Sequence, residues 1–172
     1  AGVSAARNHG ARLASAQYLI FLDADDCLLP GALQIVKEQT MRYPDVDCFI
    51  AGRTTVDPDG RQKTSIPRPL AESNQGNFTA FLRKKLGSVT IGAIRRSVFD
   101  TLQFPESIKN NEDIVFTAQV LACFKCLSIQ QPVIEVHQHS DSLRHNVSPV
   151  QASAYKVADV LFNQELLTEE FM

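Results

Sequence analysis

The sequence lacks several features that would place it in a class at once. Its 17 basic and 19 acidic residues give a net charge of −2, so no basic excess is available to bind a nucleic-acid backbone. Apolar runs are short, as in residues 18–22, whereas a membrane-spanning helix needs about 20 such residues. No internal repeat or low-complexity stretch is present. The sequence therefore predicts no nucleic-acid partner, no membrane-spanning helix and no repeat architecture.

The chain has four cysteines, and their placement argues against a zinc site. Cys123 and Cys126 have the spacing of a metal or redox pair, but zinc would need a second close pair, and Cys27 and Cys48 lie far apart. A thioredoxin-like pair would precede its helix, whereas this pair ends an apolar helical run. We interpret both as small buried hydrophobes. Unpaired cysteines fit a reducing compartment, which favours a cytoplasmic protein.

The chain has an ordinary globular composition, 44% hydrophobic and 21% charged, and the length of one domain. Helical and strand patterns alternate, which predicts an α/β fold. Helices are predicted over residues 3–16, 30–43, 78–86, 97–102, 112–124 and 148–172. Strands are predicted over residues 17–22 (buried on both faces), 47–56, 61–66, 90–95 and, as two pieces broken at Pro132, 128–137. The first residues have the sequence pattern of the middle of a folded domain and no signal-peptide pattern, so we expect a piece of a longer protein.

The most informative motif is Asp23-Ala24-Asp25-Asp26, directly after an apolar strand. Ligands of open α/β sheets bind beyond the carboxyl ends of strands. Neighbouring carboxylates repel one another unless they are solvated, cap a helix or hold a cation, and oxygen ligands suit Mg²⁺ or Mn²⁺. The motif alone is equally compatible with a metal site and with a solvated loop before the next helix.

A second acidic motif, Asn111-Glu112-Asp113, opens a predicted helix. Asn is a common helix cap, and acids in the first turn are favoured by the helix dipole, so a structural role accounts for these residues. The alternative is catalytic, because an ionised Asp113 held at a helix start can act as a general base. The helix is expected to turn Ile114 inward.

Two further features are weaker. Arg7 could meet a phosphate or a base edge with its planar guanidinium, although a single Arg on a helix is usually only solvated. His137 and His139 lie in a late polar segment with His145 and could complete a metal site, although such histidines are more often exposed and idle.

Taken together, these motifs resemble the family 2 glycosyltransferases, which have the GT-A fold. The resemblance covers residues 2 to about 145 and rests on motifs in order: 2–10 (GVSAARNHG), 18–26 (YLIFLDADD), 92–99 (GAIRRSVF), 111–116 (NEDIVF) and 137–143 (HQHSDSL). Many members carry Arg where this chain has His137. The resemblance implies a GT-A-like mixed sheet flanked by helices, incomplete at its N-terminus because the nucleoside-binding strands are missing.

The resemblance also implies a donor site. Asp23 and Asp25 would be the acids of the DxD motif, with Asp25 on the divalent metal (Mn²⁺ or Mg²⁺) and Asp23 helping to hold the nucleoside. Arg7 and Asn8 would bind the nucleotide. His139 would be an additional ligand of the metal or the diphosphate.

The resemblance further implies the catalytic groups and the reaction. Asp113 would deprotonate an acceptor hydroxyl, which attacks the anomeric carbon with inversion, and Glu112 would be its neighbour, touching the acceptor. The expected donor is a nucleotide sugar such as a UDP-sugar, and the expected acceptor is a glycan or a lipid-linked acceptor in cell-surface polysaccharide or glycolipid synthesis. A peripheral membrane association at the inner face and a homo-oligomer are further expectations.

The expected organisation is a partial catalytic domain over residues 1–147 and a C-terminal helix over 148–172 that packs on it. Two other interpretations stay open. A phosphohydrolase of the haloacid dehalogenase type also places Asp-x-Asp after an apolar strand, but Cys27 stands where that family has Thr or Val. The third interpretation is an inactive piece whose acids serve only as structural caps.

Overall fold

The computed structural model of the chain describes residues 2–138. The predicted helix over 148–172 and the predicted ligand His139 lie outside these residues. The elements, in order, are α1 (Val3–Leu13), β1 (Tyr18–Leu19), β2 (Cys27–Leu28), α2 (Ala32–Arg42), β3 (Cys48–Val56), β4 (Gln62–Ser65), α3 (Asn74–Leu82), β5 (Thr90–Arg95), a 3₁₀ helix (Arg96–Asp100), α4 (Glu112–Cys123) and β6 (Cys126–His137). The predicted alternation of helices and strands is confirmed.

The strands form one mixed sheet in the order β1-β5-β3-β6-β2, with β4 paired to the second half of β3. Only the β3–β6 pairing is parallel among the described strands, and the other pairings are antiparallel. Because β3 and β6 run in the same direction, their last residues, Val56 and His137, lie side by side at one end of the sheet. The loop between β1 and β2 reaches the same end, since Asp26 Oδ1 accepts a hydrogen bond from the His137 N–H at 3.2 Å.

The core lies on both faces of β3, whose buried residues alternate between two clusters as the two-residue period of a strand requires. Cys48 and Ile50 face the cluster that contains residues of α1 and α4. Phe49 and Ala51 face the cluster that contains residues of α2. Both faces of the sheet are therefore covered by helices, so a binding site is expected at an end of the sheet. No helix within residues 2–138 is long and apolar enough to span a bilayer.

The strand predicted over residues 17–22 differs most from the structure. Only residues 18–19 pair, both are half-buried, and Leu22 is 43% exposed. The prediction of a strand buried on both faces was wrong because β1 is at the edge of the described sheet and pairs only with β5.

Three smaller expectations also change. β6 is one strand rather than two, because Pro132 lies opposite Gly52, where the register with β3 already shifts and no N–H is needed. The helix predicted over 78–86 begins at Asn74 instead, where Ser73 Oγ accepts from the Gly76 N–H. Ile114 is 44% exposed and does not face inward.

Candidate active site

Arg7 lies where three separated segments of the chain meet. It is on the second turn of α1 and its side chain is largely buried, at 16% exposure. Its Nη2 donates to Asp23 Oδ1 at 2.7 Å, and its Nη1 donates to Glu112 Oε1 at 3.0 Å. One planar guanidinium with several fixed donors can hold two carboxylates in this way, which a lysine could not reproduce. The two acidic motifs are therefore joined through Arg7.

The start of α4 turns its two acids to different environments. Glu112 is buried, at 8% exposure, and points to Arg7, whereas Asp113 is exposed and accepts a hydrogen bond from the Ile114 N–H at 2.9 Å. Asn111 occupies the cap position in a left-handed conformation (φ 67°) without the side-chain cap bond expected of Asn. Both acids lie in the first turn, where the helix dipole favours negative charge.

The acidic loop after β1 is a tight turn in which the Asp26 N–H donates to the Asp23 carbonyl at 3.1 Å. Asp23 and Asp25 are both exposed; Asp23 is bound by Arg7, while Asp26 is half-buried against the end of β6. His137 Nε2 lies 3.0 Å from Glu135 Oε1. The loop therefore presents carboxylate oxygens to solvent at the same end of the sheet as His137.

Asn8 is 1% exposed and binds the protein rather than the solvent. Its amide accepts from the Phe104 N–H at 2.8 Å and donates to the Phe104 carbonyl at 2.9 Å, with a further contact to Glu106 Oε1 at 3.3 Å. The side chain holds the Phe104 segment beside Arg7, and the predicted role of Asn8 in nucleotide binding stays a prediction.

The ring of Phe104 lies beneath the Arg7 guanidinium, whose Cζ is 5.2 Å from the ring centroid. Phe104 stacks on Phe116 at 3.9 Å and contacts Phe21 edge-on at 5.3 Å. An aromatic face attracts a cation and restricts where it can lie. The position of Phe104 in the site could not be predicted, because an isolated aromatic in a predicted loop carries no signal of this contact.

A groove of about 570 Å³ runs between α1 and residues 18–24 and has Arg7 and Asp23 in its lining. Its other lining groups are mostly small or apolar, including Gly10, Ala11 and Phe21. Tyr18 is also among the lining residues; its hydroxyl donates to the Val46 carbonyl at 2.6 Å, and burial raises the pKa of Tyr18 against the opposing charge of Arg95. An apolar groove with a few convergent polar groups at one end is typical of a small-molecule site.

The structure brings Arg7, Asp23 and Glu112 into direct contact, with Asp25 and Asp113 on the two flanking segments. Within residues 2–138 no group of three or more His, Cys, Asp or Glu side chains is arranged to hold a metal. That donor set still suits Mg²⁺ or Mn²⁺, because these ions often take only one or two carboxylates and complete their shell with substrate phosphates and water. Asp25 and the second oxygen of Asp23 would be the protein ligands.

The chain is similar to several known proteins. At 24% identity the chain resembles a Haemophilus influenzae protein named an uncharacterized glycosyltransferase, over 98% of the chain and 58% of that protein. It superposes on S. aureus TarS 1–349 (TM-score 0.62, 15% identity) and on the same protein in complex with UDP-GlcNAc (TM-score 0.67, 14% identity), over 95% of the chain and 46% and 48% of those structures. These likenesses show a GT-A-type fold, and the chain spans about half the length of the proteins it matches.

The model of glycosyl transferase family 2 matches residues 1–103, more than half of the chain, and those residues contain Arg7 and the Asp23–Asp25 motif. The haloacid dehalogenase interpretation is thereby set aside, and the chain belongs to glycosyl transferase family 2.

Proposed function

We propose that this chain forms the donor-diphosphate and base-bearing part of a glycosyltransferase that moves a sugar from a UDP-sugar to an acceptor hydroxyl with inversion. The observation that carries the proposal is the Arg7 bridge, which joins the acidic loop to the start of α4 beside an apolar groove. The solved relative in complex with UDP-GlcNAc supports the choice of donor class.

The reaction needs two separate sets of groups, and the proposal assigns residues of this chain to each. In the first set, Asp25 and Asp23 would hold a divalent cation, which neutralises the charge of the departing diphosphate when it is bound. Arg7 orients Asp23 through its hydrogen bond to Oδ1, and the Glu112 carboxylate fixes the orientation of Arg7. The exposed groove beside Asp23 would take the nucleoside.

The second set is the base. Asp113 is exposed at the start of α4, one residue from the buried Glu112, so an acceptor hydroxyl can reach it. Asp113 would take the hydroxyl proton while the acceptor oxygen forms a bond to the anomeric carbon. The bond from that carbon to the diphosphate oxygen breaks, UDP leaves, and attack from the opposite face inverts the anomeric centre.

Calorimetric titration of UDP into the protein, with and without Mn²⁺, tests the proposal. We expect Mn²⁺-dependent binding that Asp25→Asn abolishes and that Asp59→Asn, an exposed carboxylate on the β3–β4 turn, leaves intact. Circular dichroism is recorded on every variant. A folded chain without UDP binding would contradict the proposed donor site and would leave the family membership unchanged.

A further inference from the structure

A basic surface beside α3 has no role in the donor site. Residues 61–87 contain six basic residues and one acidic residue, although the whole chain has a net charge of −2. Arg68, Arg83, Lys84 and Lys85 are all exposed. They lie together because the Arg68 N–H donates to the carbonyl of Leu86 at 2.8 Å. We call these four residues the basic patch, and none of them forms an ion pair with any residue in the 2–138 range.

Lys84 lies in the patch with a backbone conformation that lysine seldom adopts. Lys84 has φ +54° and follows the C-cap of α3. Its N–H donates to the Phe81 carbonyl, and the Lys85 N–H donates to the Ala80 carbonyl. This pair of hydrogen bonds is the Schellman ending, whose left-handed position usually holds Gly because a side chain there is strained. Lysine at this position has a charge that glycine would not supply.

The contacts of α3 place the patch toward the catalytic end of α4. The two helices pack together. The start of α3 lies near the end of α4: the Leu70 N–H donates to Ser128 Oγ, and the pKa of Lys125 is raised chiefly by its hydrogen bond with Asp45 and, in smaller part, by the charge of Glu72. The helices therefore run antiparallel, and the end of α3 points toward the first turn of α4. Phe81, two residues before Arg83, packs on the cluster that contains Val115.

A groove of about 430 Å³ adjoins the patch. It is lined by the outer side of α3, including Ser73 and Thr79, and by Arg83 and Lys85. Hydroxyl groups with Arg and Lys side chains form a donor-rich surface that matches phosphate oxygens, because Arg binds them through two parallel N–H groups and Lys as a point charge.

We propose that the basic patch binds a phosphate group of the acceptor, so that the acceptor is a phosphate-bearing molecule whose hydroxyl is directed to Asp113. This inference rests on the proposed function for the role of Asp113. The donor diphosphate is assigned to the separate surface formed by α1 and the acidic loop. The patch belongs to the segment between β4 and β5, next to the helix that carries the base.

The test is binding of inorganic tripolyphosphate, which has neither nucleoside nor sugar, in the presence of EDTA. We expect Arg83→Gln/Lys84→Gly/Lys85→Gln to weaken binding about tenfold or more. The control Arg12→Gln/Lys37→Gln/Arg42→Gln removes the same charge from exposed positions on α1 and α2 and should change binding less than twofold. Equal weakening by the two triple variants would show a net-charge effect and overturn the proposal.

Two further measurements separate the remaining explanations. Lys84→Gly alone should weaken tripolyphosphate binding while raising the melting temperature, because glycine relieves the left-handed strain; unchanged binding in this stable variant would contradict the proposal. Vesicles containing phosphatidylglycerol form the second arm, and a patch variant that loses only vesicle binding would assign the patch to a lipid surface instead. UDP binding with Mn²⁺ should be unaltered in every patch variant. This measurement therefore distinguishes failure of the proposed donor site from failure of the proposed phosphate site.

Discussion

Arg7 and Glu112, which are 105 positions apart in the sequence, are joined by a hydrogen bond of 3.0 Å between Nη1 and Oε1. The same guanidinium binds Asp23 at 2.7 Å. Glu112 is buried and Asp23 is more than half exposed. Arg7 is therefore bound to one carboxylate in the protein interior and to another that is accessible to solvent. This geometry suits Glu112 to a positioning role on Arg7, and the contact with the acceptor that the family resemblance implies for it stays a prediction.

Replacement of Glu112 by Gln tests this positioning role. The neutral side chain leaves Arg7 partly buried with one charged partner, and we expect a loss of about 1–3 kcal/mol in the free energy of unfolding. UDP affinity should fall as well, because Asp23 is oriented by Arg7. Urea denaturation and calorimetry measure the two effects. Glu72→Gln, an exposed acid before α3, is the control, and an effect on turnover alone would contradict the positioning role.

Replacement of Asp113 by Asn should separate catalysis from donor binding. The amide cannot accept the proton of the acceptor hydroxyl, so we expect turnover to fall by at least about 100-fold. UDP affinity should stay within about twofold, because Asp113 is exposed and is not bound to Arg7. Transfer assays and calorimetry on the same preparation give both numbers. Normal turnover in a folded variant would show that Asp113 is not the catalytic base.

Replacement of Asn8 by Ala tests the link between α1 and Phe104. The change removes two hydrogen bonds to buried backbone groups and leaves both without their partner. We expect a loss of about 2–4 kcal/mol in the free energy of unfolding, measured by urea denaturation. Gln103→Ala, at the exposed neighbouring position, should cost less than about 0.5 kcal/mol. Equal losses in the two variants would show that the Asn8 contacts contribute little.

The thiols give a prediction for alkaline pH. Burial raises the pKa of Cys48 well above its ordinary value, with further contributions from Cys126 and Asp47. The folded protein therefore keeps a proton that the unfolded chain releases above about pH 8.5. The stabilisation is complete below that pH and is lost as pH rises toward the folded value. Denaturation series between pH 7 and 10 should show a shallower decline for Cys48→Ala than for the native chain.

A thiol reagent offers an independent check on the same groups. Cys27 is exposed and should react within the mixing time, whereas Cys48 and Cys126 are buried and should react only in denaturant. Fast labelling of Cys48 in the native chain would contradict the burial described above.

Much of the fold could be predicted because local pattern and tertiary context agree. The apolar run at β3 and the acidic first turn of α4 led to correct elements. Residues 17–22 were predicted less well, since their apolar character does not show how many strands flank them. The continuity of β6 through Pro132 depends on Gly52, a residue in another strand. No local pattern contains that information.

The candidate site was likewise predicted only where local sequence motifs carry the information. Motif order identified the acidic loop and Asp113 as the segments of interest, and the structure brings Asp23 and Glu112 to one guanidinium. The contact of Arg7 with Glu112 and the support of Phe104 by Asn8 could not be predicted, because they join positions about 100 residues apart. The catalytic and metal-binding roles of these residues stay predictions.

The central position of β3 has a consequence for how the chain is made. β3 pairs with β5 and, in parallel, with β6, so Phe49 and Ile50 gain their neighbours only when much later segments are available. On a translating ribosome, β3 emerges well before β6, so its apolar first half lacks β5 until residues 90–95 are made and lacks its parallel partner until β6 is made. We therefore expect nascent chains that end before Cys126 to be bound by chaperones, and release to follow the synthesis of the last strand.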